Sequence, residues 1–322
     1  MKCILIYFSL TGNTELIAKT IQTGVKQAAG HCDIVKIKEA NWRNLYEYDL
    51  IGIGTPVHGY VEPPNVRAFI NSMRFVGGKH AFAFATSGTH PEFFFPSIVP
   101  RLKHRGLTVI GMYHCFASCY NSIMPSPYPT ERHPDEIDLK EAEDFGREMV
   151  ERSQRISAGE TKLIPPAPQA PQPLSEFLKG LSELERKHGF PEIGSNKLAF
   201  KYLLKFHEEK CTYPECRLCM DNCPMDGIDL SVKPPVIARP CMNCTFCAKI
   251  CPTGALDESI WVETFIERTL KLFPLFYLPG LEQPEQEGHF RRLVPIKDIG
   301  YDTPIYKKHN KHPQWVIGKG LQ

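Results

Sequence analysis

Cys241-Met242-Asn243-Cys244-Thr245-Phe246-Cys247-Ala248-Lys249-Ile250-Cys251-Pro252 is the second of two cysteine runs that together hold eight of the chain's 12 cysteines. Its spacing is C-x2-C-x2-C-x3-C-P. The first run, Cys211-Thr212-Tyr213-Pro214-Glu215-Cys216-Arg217-Leu218-Cys219-Met220-Asp221-Asn222-Cys223-Pro224, repeats it with two extra residues after the first cysteine. Thiolates this close along a chain repel one another unless a metal centre takes up their charge. Structural zinc is the plainer alternative, since C-x2-C also serves zinc. Zinc sites, however, pair such units across a longer spacer and do not repeat C-x3-C-P. A disulfide framework is disfavoured, because nothing else in the sequence points to an oxidising compartment. The repeated spacing points to iron–sulfur centres.

The doubled run resembles a bacterial two-cluster ferredoxin, in which the fourth cysteine of each run crosses over to the other cluster. That resemblance implies a small α+β ferredoxin-like domain over 205–257 carrying two 4Fe-4S clusters. Cys211, Cys216, Cys219 and Cys251 would hold one cluster, and Cys241, Cys244, Cys247 and Cys223 the other. The family spacing places its first ligand where Tyr213 stands, so this chain departs from the pattern, and Cys211 is the nearest free cysteine. Cys223-Pro224-Met225-Asp226-Gly227-Ile228 corresponds to Cys251-Pro252-Thr253-Gly254-Ala255-Leu256, an internal pseudo-symmetry. Val236–Ala238 reads as a short strand between the runs.

A chain of 322 residues is too long for that module alone and suggests two domains. Apolar residues make up 42%, enough for a core. The net charge of +2, from 38 basic and 36 acidic residues, gives no general attraction to nucleic acid. The N-terminal apolar run leads into a Gly/Thr loop rather than a cleavage site, so no signal peptide is visible. No apolar stretch approaches the roughly 20 residues of a membrane helix. The expected location is the cytoplasm.

Upstream, residues 3–8 form a short apolar run, the mark of a buried strand. Ser9-Leu10-Thr11-Gly12-Asn13-Thr14 follows, and then a helical stripe of Leu16, Ile17, Ile21, Val25 and Ala28. A Gly- and hydroxyl-rich loop at a helix N-terminus presents N–H groups and the positive end of the helix dipole to an anion. The loop lacks the Gly-Lys-Ser/Thr ending of a triphosphatase. It resembles the flavodoxin phosphate loop, (S/T)-x-T-G-x-T, which implies that Ser9, Thr11, Gly12, Asn13 and Thr14 bind the phosphate of FMN.

Further strands are expected over 33–38, 50–54, 81–85 and 108–113, with helices starting near Pro64, over 94–105 and over about 139–157. Five strands alternating with helices predict a doubly wound parallel sheet with its ligand at the carboxyl ends of the strands. The whole of 1–157 is thus expected to be a flavodoxin-like FMN-binding domain. Two more loops should converge on the flavin. Thr55-Pro56-Val57-His58-Gly59-Tyr60 would lie against the isoalloxazine ring. Thr86-Ser87-Gly88, followed by Thr89 and His90, would bond its pyrimidine edge. Phe93, Phe94 and Phe95 read as helix packing, and Cys3 and Cys32 as core. Cys115 and Cys119, four residues apart, admit a redox pair but read more simply as buried thiols. The loop 121–129, with three prolines, could cover the flavin edge.

Residues 158–174 form a proline-rich linker, semi-rigid by composition. A helical docking segment over 175–204 follows, with stripes from Leu174, Phe177, Leu178, Leu181 and Leu184 and from Leu198 to Phe206. After the clusters, Ser259 would cap a helix ended by Pro274. The region 258–322 would be that helix and a wrapping arm.

Together these features resemble the ferrodoxins, a group of flavodoxin–ferredoxin fusions. The resemblance implies one FMN and two 4Fe-4S clusters in one redox chain. An electron-transfer role with a ferredoxin-like donor and a partner oxidoreductase follows, and a homo-oligomer is allowed. The alternative is an FMN-dependent reductase of a small organic substrate or quinone, with His58, Tyr60 and His90 at its mouth. No catalytic base constellation is evident, so the sequence assigns no catalytic residue.

Overall fold

The computed structural model describes residues 1–119, 121–190, 204–237, 239–302 and 304. It divides into two compact units. One comprises Met1–Ser118 and Thr130–Pro171, and the other Cys119–Pro129 and the chain from Gln172 on. The first boundary after the sheet therefore falls at its last strand, and the second inside the proline-rich stretch.

In the first unit β1 (Cys3–Tyr7), β2 (Cys32–Lys36), β3 (Leu50–Pro56), β4 (Lys79–Ser87) and β5 (Leu107–Phe116) form one sheet. All pairs are parallel, in the order β2-β1-β3-β4-β5, the expected flavodoxin-like arrangement. The interior strand β1 is buried along its whole length, because its alternate residues face helices on both sides of the sheet. Cys3, Leu5 and Tyr7 point to one face. There they pack with Ile17, Ile21 and Val25 of α1 (Asn13–Ala29) and Met149 and Val150 of α4 (Glu136–Ser157). Ile4 and Ile6 alternate to the opposite side, where α2 (Pro64–Ser72) and α3 (Phe94–His104) supply further buried apolar residues.

Three strands run beyond the ends that apolar runs predict. The added residues at their C-terminal ends include Thr55, Thr86 and Ser87, which are polar yet buried. A hydrophobicity pattern stops where the chain still pairs. α4 likewise starts earlier than its apolar stripe, because Asp135 caps it. Asp135 accepts from the N–H groups of Ile137 and Asp138, and Asp138 accepts from the N–H of Asp135.

Among its described residues the second unit has little regular structure outside its longer helices. α5 (Leu174–Lys187) follows the proline-rich stretch, and the two-residue strands β6 (Lys205–Phe206) and β7 (Leu256–Asp257) pair antiparallel. Two short helices, α6 (Leu218–Asp221) and α7 (Phe246–Lys249), lie within the cysteine runs. In place of a strand over 236–238 there is a single bridge from Val236 to Asp229, and Ala238 lies outside the described residues. α8 (Ser259–Leu272) begins at Ser259 rather than being capped by it: the Ser259 hydroxyl and N–H both donate to Asp257. Nor does Pro274 end the helical path, which continues as a wider turn over Phe273–Tyr277 and a tighter one over Leu278–Leu281 before α9 (Glu282–Gln286). A proline in the first turn of a new segment loses no hydrogen bond.

The loop 121–129 packs within this second unit. Ser122 Oγ donates to Glu258 Oε1 at 2.6 Å, Tyr128 meets Phe273 edge-on, and Pro125 bridges Pro304. Much of the expected second apolar patch, and the end of the arm with Trp315, lie outside the described residues.

Candidate cofactor and metal sites

The loop after β1 forms a cradle at the start of a 17-residue helix. Gly12 adopts a left-handed φ of 100°, a conformation costly for residues with a Cβ, and its N–H donates to Ser9 Oγ at 3.1 Å. Nothing lies within 4 Å of where a Cβ would stand on Gly12, so the loop faces open space there. Ser9 and Thr11 are half-buried, whereas Asn13 and Thr14 are buried. The buried pair is engaged internally. Asn13 Nδ2 donates to the Ser118 carbonyl at 3.0 Å, and the Thr14 and Thr86 hydroxyls share a hydrogen bond of 2.7 Å. The only acid in the first turn, Glu15, is paired with Lys19 at 2.5 Å, which offsets its repulsion of an anion. These features fit a phosphate.

Thr14 and Thr86 thereby tie the first loop to the end of β4. The loop after β3 is tied there as well, since the Val57 N–H donates to the Thr86 carbonyl at 2.8 Å. It then reverses tightly: His58 N–H donates to Val61 O, with φ of 56° at Gly59 and 74° at Tyr60. Gly59 is exposed and borders open space. The Tyr60 ring stands edge-on to His90 at 5.9 Å, joining the second loop to the third.

Ser87 at the head of the third loop shares a 2.8 Å hydrogen bond with His114 Nε2 on β5. The three predicted loops are therefore brought together through Thr14, Thr86 and Tyr60. His90 is only 6% exposed and bonds Glu92 through Nδ1 at 3.0 Å. It stiffens the loop rather than opening onto solvent. Sequence reasoning missed Ser118 and His114, which carry no local signal because their partners are distant in the chain. Phe93 and Phe94 are buried, as packing residues should be.

The eight run cysteines gather in two groups of four. Cys211, Cys216, Cys219 and Cys251 line one pocket, with Phe206, Leu230 and Leu256 among its apolar walls. Burial pushes the Cys219 thiol up to about 11, and Cys251, Cys211 and Cys216 raise it further by their charge. Cys247 is likewise raised by burial and then by Cys244, Cys241 and Cys223. Each group thus draws its fourth sulfur from the other run. Four such sulfurs ionise together only when a cation takes up their charge, which is the donor set that iron or zinc requires.

Cys251 differs from Cys219 and Cys247 in the direction of its shift. Burial raises its pKa, but N–H bonds from Leu256, Thr253 and Ala255, with the Thr253 hydroxyl, bring it below the usual thiol value. The four cysteines outside the runs are of another kind. Cys3 and Cys32 face each other across β1 and β2, both buried, and burial pushes Cys3 up to about 11. Cys115 is buried at the end of β5, while Cys119 packs in the second unit's apolar cluster with Tyr128 and Phe273. Four residues apart in sequence, those two belong to separate units. No helix among the described residues is long and apolar enough to cross a membrane.

Residues 4–93 match the family model for the flavodoxin domain. A ferredoxin of Methanocaldococcus jannaschii is 42% identical over 48 residues, which span 14% of this chain and 77% of that protein. A flavodoxin of Megasphaera elsdenii is 29% identical over 110 residues, 33% of this chain and 80% of its own. An NAD(P)H dehydrogenase (quinone) of Caulobacter vibrioides is 24% identical over 195 residues, 48% of this chain and 98% of its own.

Proposed function

The chain belongs to the flavodoxin–ferredoxin fusions, and from that premise we propose that it relays electrons between two 4Fe-4S clusters and one FMN and exchanges them with a redox partner protein. In this reading 1–157 is the flavin domain and 205–257 the cluster domain. Ser9, Thr11, Gly12 and the first N–H groups of α1 bind the phosphate. Asn13 and Thr14 hold that loop in shape from beneath. Thr55–Tyr60 and Thr86–Gly88 orient the ring. Cys211, Cys216, Cys219 and Cys251 hold one cluster, and Cys223, Cys241, Cys244 and Cys247 the other. FMN supplies one- or two-electron chemistry and each cluster one-electron chemistry, a combination suited to a relay or a converter between the two.

The observation that carries the reading is the grouping of the cysteines, each four including one from the other run. It is the arrangement that two-cluster ligation requires and that a pair of local C-x2-C zinc sites does not. The test is an anaerobic spectrum of reconstituted protein during addition of NADH, NADPH and then a reduced ferredoxin. Bleaching of flavin and cluster bands by ferredoxin alone supports the relay. Absence of both bands after full reconstitution overturns it.

A second reading, reduction of a quinone at the flavin, is favoured by the likeness to the quinone dehydrogenase. Against it, His90 is buried rather than lining a mouth. Bleaching by a pyridine nucleotide alone, with turnover of an added quinone, would select this second reading.

A further inference from the structure

Glu62 closes the loop after β3, directly past the Val61 carbonyl that accepts from the His58 N–H. Its side chain has no exposed surface. Two arginines reach it from different helices, Arg67 of α2 and Arg101 of α3. Arg67 Nε donates to Glu62 Oε1 at 2.8 Å, and Arg101 Nε stands 2.9 Å from the same oxygen without hydrogen-bond alignment. Two cations this close are held together by the carboxylate between them. Elsewhere the protein grips glutamates differently. Arg155 on Glu160, Arg268 on Glu185 and Arg292 on Glu285 each use Nε and Nη2 together. At Glu62 the contacts stop at Nε, and Oε2 is left buried without a partner. Among the described residues neither arginine engages another group through its Nη atoms. The two side chains remain 39% and 36% exposed.

A guanidinium pinned at Nε keeps its Nη–H donors for a second anion, and that planar fork matches two oxygens of a carboxylate or phosphate. The bidentate grip is the stronger one, so the arrangement at Glu62 gives up stability and keeps the Nη atoms available. Two guanidiniums over one carboxylate leave one positive charge in excess on a half-exposed surface. The backbone beside them is poorly suited to a phosphate. α2 begins Pro63-Pro64, and proline offers no N–H where a helix N-terminus would otherwise cradle one. A carboxylate on a protein surface needs only the two forks. We propose that Arg67 and Arg101 form a docking site for an acidic surface of the partner redox protein, with Glu62 as the positioning residue that holds both. The inference rests on the relay reading and adds to it which side of the flavin domain the partner meets. In the step it serves, one electron leaves the reduced partner and enters the flavin. No bond is made or broken between the proteins.

The experiment uses the full chain loaded with FMN and clusters and, as the probe, a bacterial ferredoxin of acidic surface. Calorimetry measures binding of the oxidised ferredoxin, and stopped-flow absorbance follows reduction of the flavin by the reduced one, each at low and at high salt. Arg67→Gln with Arg101→Gln and Glu62→Gln removes both forks and leaves no buried charge behind. This triple variant should weaken binding and slow flavin reduction about three- to tenfold at low salt. The difference should fade as salt screens the charge. Arg67→Lys with Arg101→Lys keeps the charge and loses the fork, so it should fall between. Flavin content, iron content and flavin potential should match the wild type in every variant.

Unchanged binding in the triple variant overturns the inference. So does a loss of equal size at low and high salt, which would mean a disturbed flavin loop. Binding of NADPH that the triple variant loses, with ferredoxin binding intact, would give the site to a dinucleotide phosphate and overturn it as well. If the triple variant does not fold, Arg67→Gln and Arg101→Gln decide singly, since each leaves one guanidinium on Glu62. A salt-dependent loss in either supports the docking site, and none in both overturns it. A wild-type chain that binds the ferredoxin but takes no electron from it counts against the relay and leaves the docking site standing. One that binds no ferredoxin at either salt overturns the docking site.

Discussion

In the first unit the residues proposed to hold FMN sit on loops whose shape is set by something else. The strands beneath them are buried, and the loops are joined to one another by Thr14, Thr86, Tyr60 and His90. In the cluster module of the second unit the proposed ligands are themselves the core. The apolar cluster there consists of Ile228, Leu230, Ala248, Cys251, Ala255 and Leu256, with Cys211, Cys219, Cys223 and Cys247 packed against it. A core of that size does not offset the chain entropy of a module of about 50 residues, which then depends on a metal staple. The first unit should therefore fold without its cofactor and that module should not.

Removing iron with a chelator under anaerobic conditions should produce the largest effect. Residues within 204–257 should become sensitive to limited proteolysis while 1–118 stays protected. Equal protection of both before and after chelation would mean that the apolar cluster suffices, and would erase the contrast.

A second way to sharpen it concerns the part of the second unit that does not use cysteines. Glu185 of α5 is fully buried and receives two hydrogen bonds from the Arg268 guanidinium of α8. Glu185→Ala leaves a buried cation without its carboxylate, a loss of about 3–5 kcal/mol. Denaturant unfolding of the cluster-loaded chain should show it in the second unit's transition, and adding Arg268→Leu should recover much of it. A loss that the double variant does not recover would place the effect in packing rather than in charge.

In the first unit the equivalent test is gentler. Thr14→Val leaves the buried Thr86 hydroxyl without its partner, which costs about 1–3 kcal/mol, and Thr14→Val with Thr86→Val should regain part of that. FMN binding, followed by quenching of flavin fluorescence, should weaken in the single variant. The loop after β1 then loses its tie to the end of β4.

What the sequence made legible follows the same division. Cysteine spacing is local, so the two runs could be read at once, and the strand–loop–helix at the N-terminus is equally local. The Thr14–Thr86 bond joins residues 72 apart and leaves no trace in either neighbourhood. His114 is likewise visible only once β5 lies beside β4. The ends of β3 and β4 were read too short because their last residues are polar, and they are polar where the site lies. Ser259 looked like a cap because serine often is one. Asp257, two residues earlier, accepts its hydrogen bonds instead. Cys115 and Cys119 show the limit from the other side, since four residues of separation say nothing about which unit each side chain joins.

The smallest expected effect separates the units by acid. His80 on β4 bonds Ser153 of α4 at 2.7 Å through Nδ1, and burial lowers its pKa from the usual 6.5. The folded chain therefore prefers the neutral imidazole. Below about pH 6.5 the unfolded chain takes up a proton that the folded one resists, so the unfolded state gains stability as pH falls. The contribution of His80 is full above that value and declines through the window beneath it, down to the lowered pKa of the folded state. Thermal unfolding of the first unit, followed by release of flavin fluorescence, should show a midpoint that drops as pH falls from 6.5. In His80→Asn that slope should flatten. An unchanged slope would mean that acid acts on this unit through other groups. Acid also protonates thiolates and releases metal, so the second unit should lose its cluster absorbance in acid whether or not His80 is present. The pair of readouts then assigns each part of the acid response to one unit.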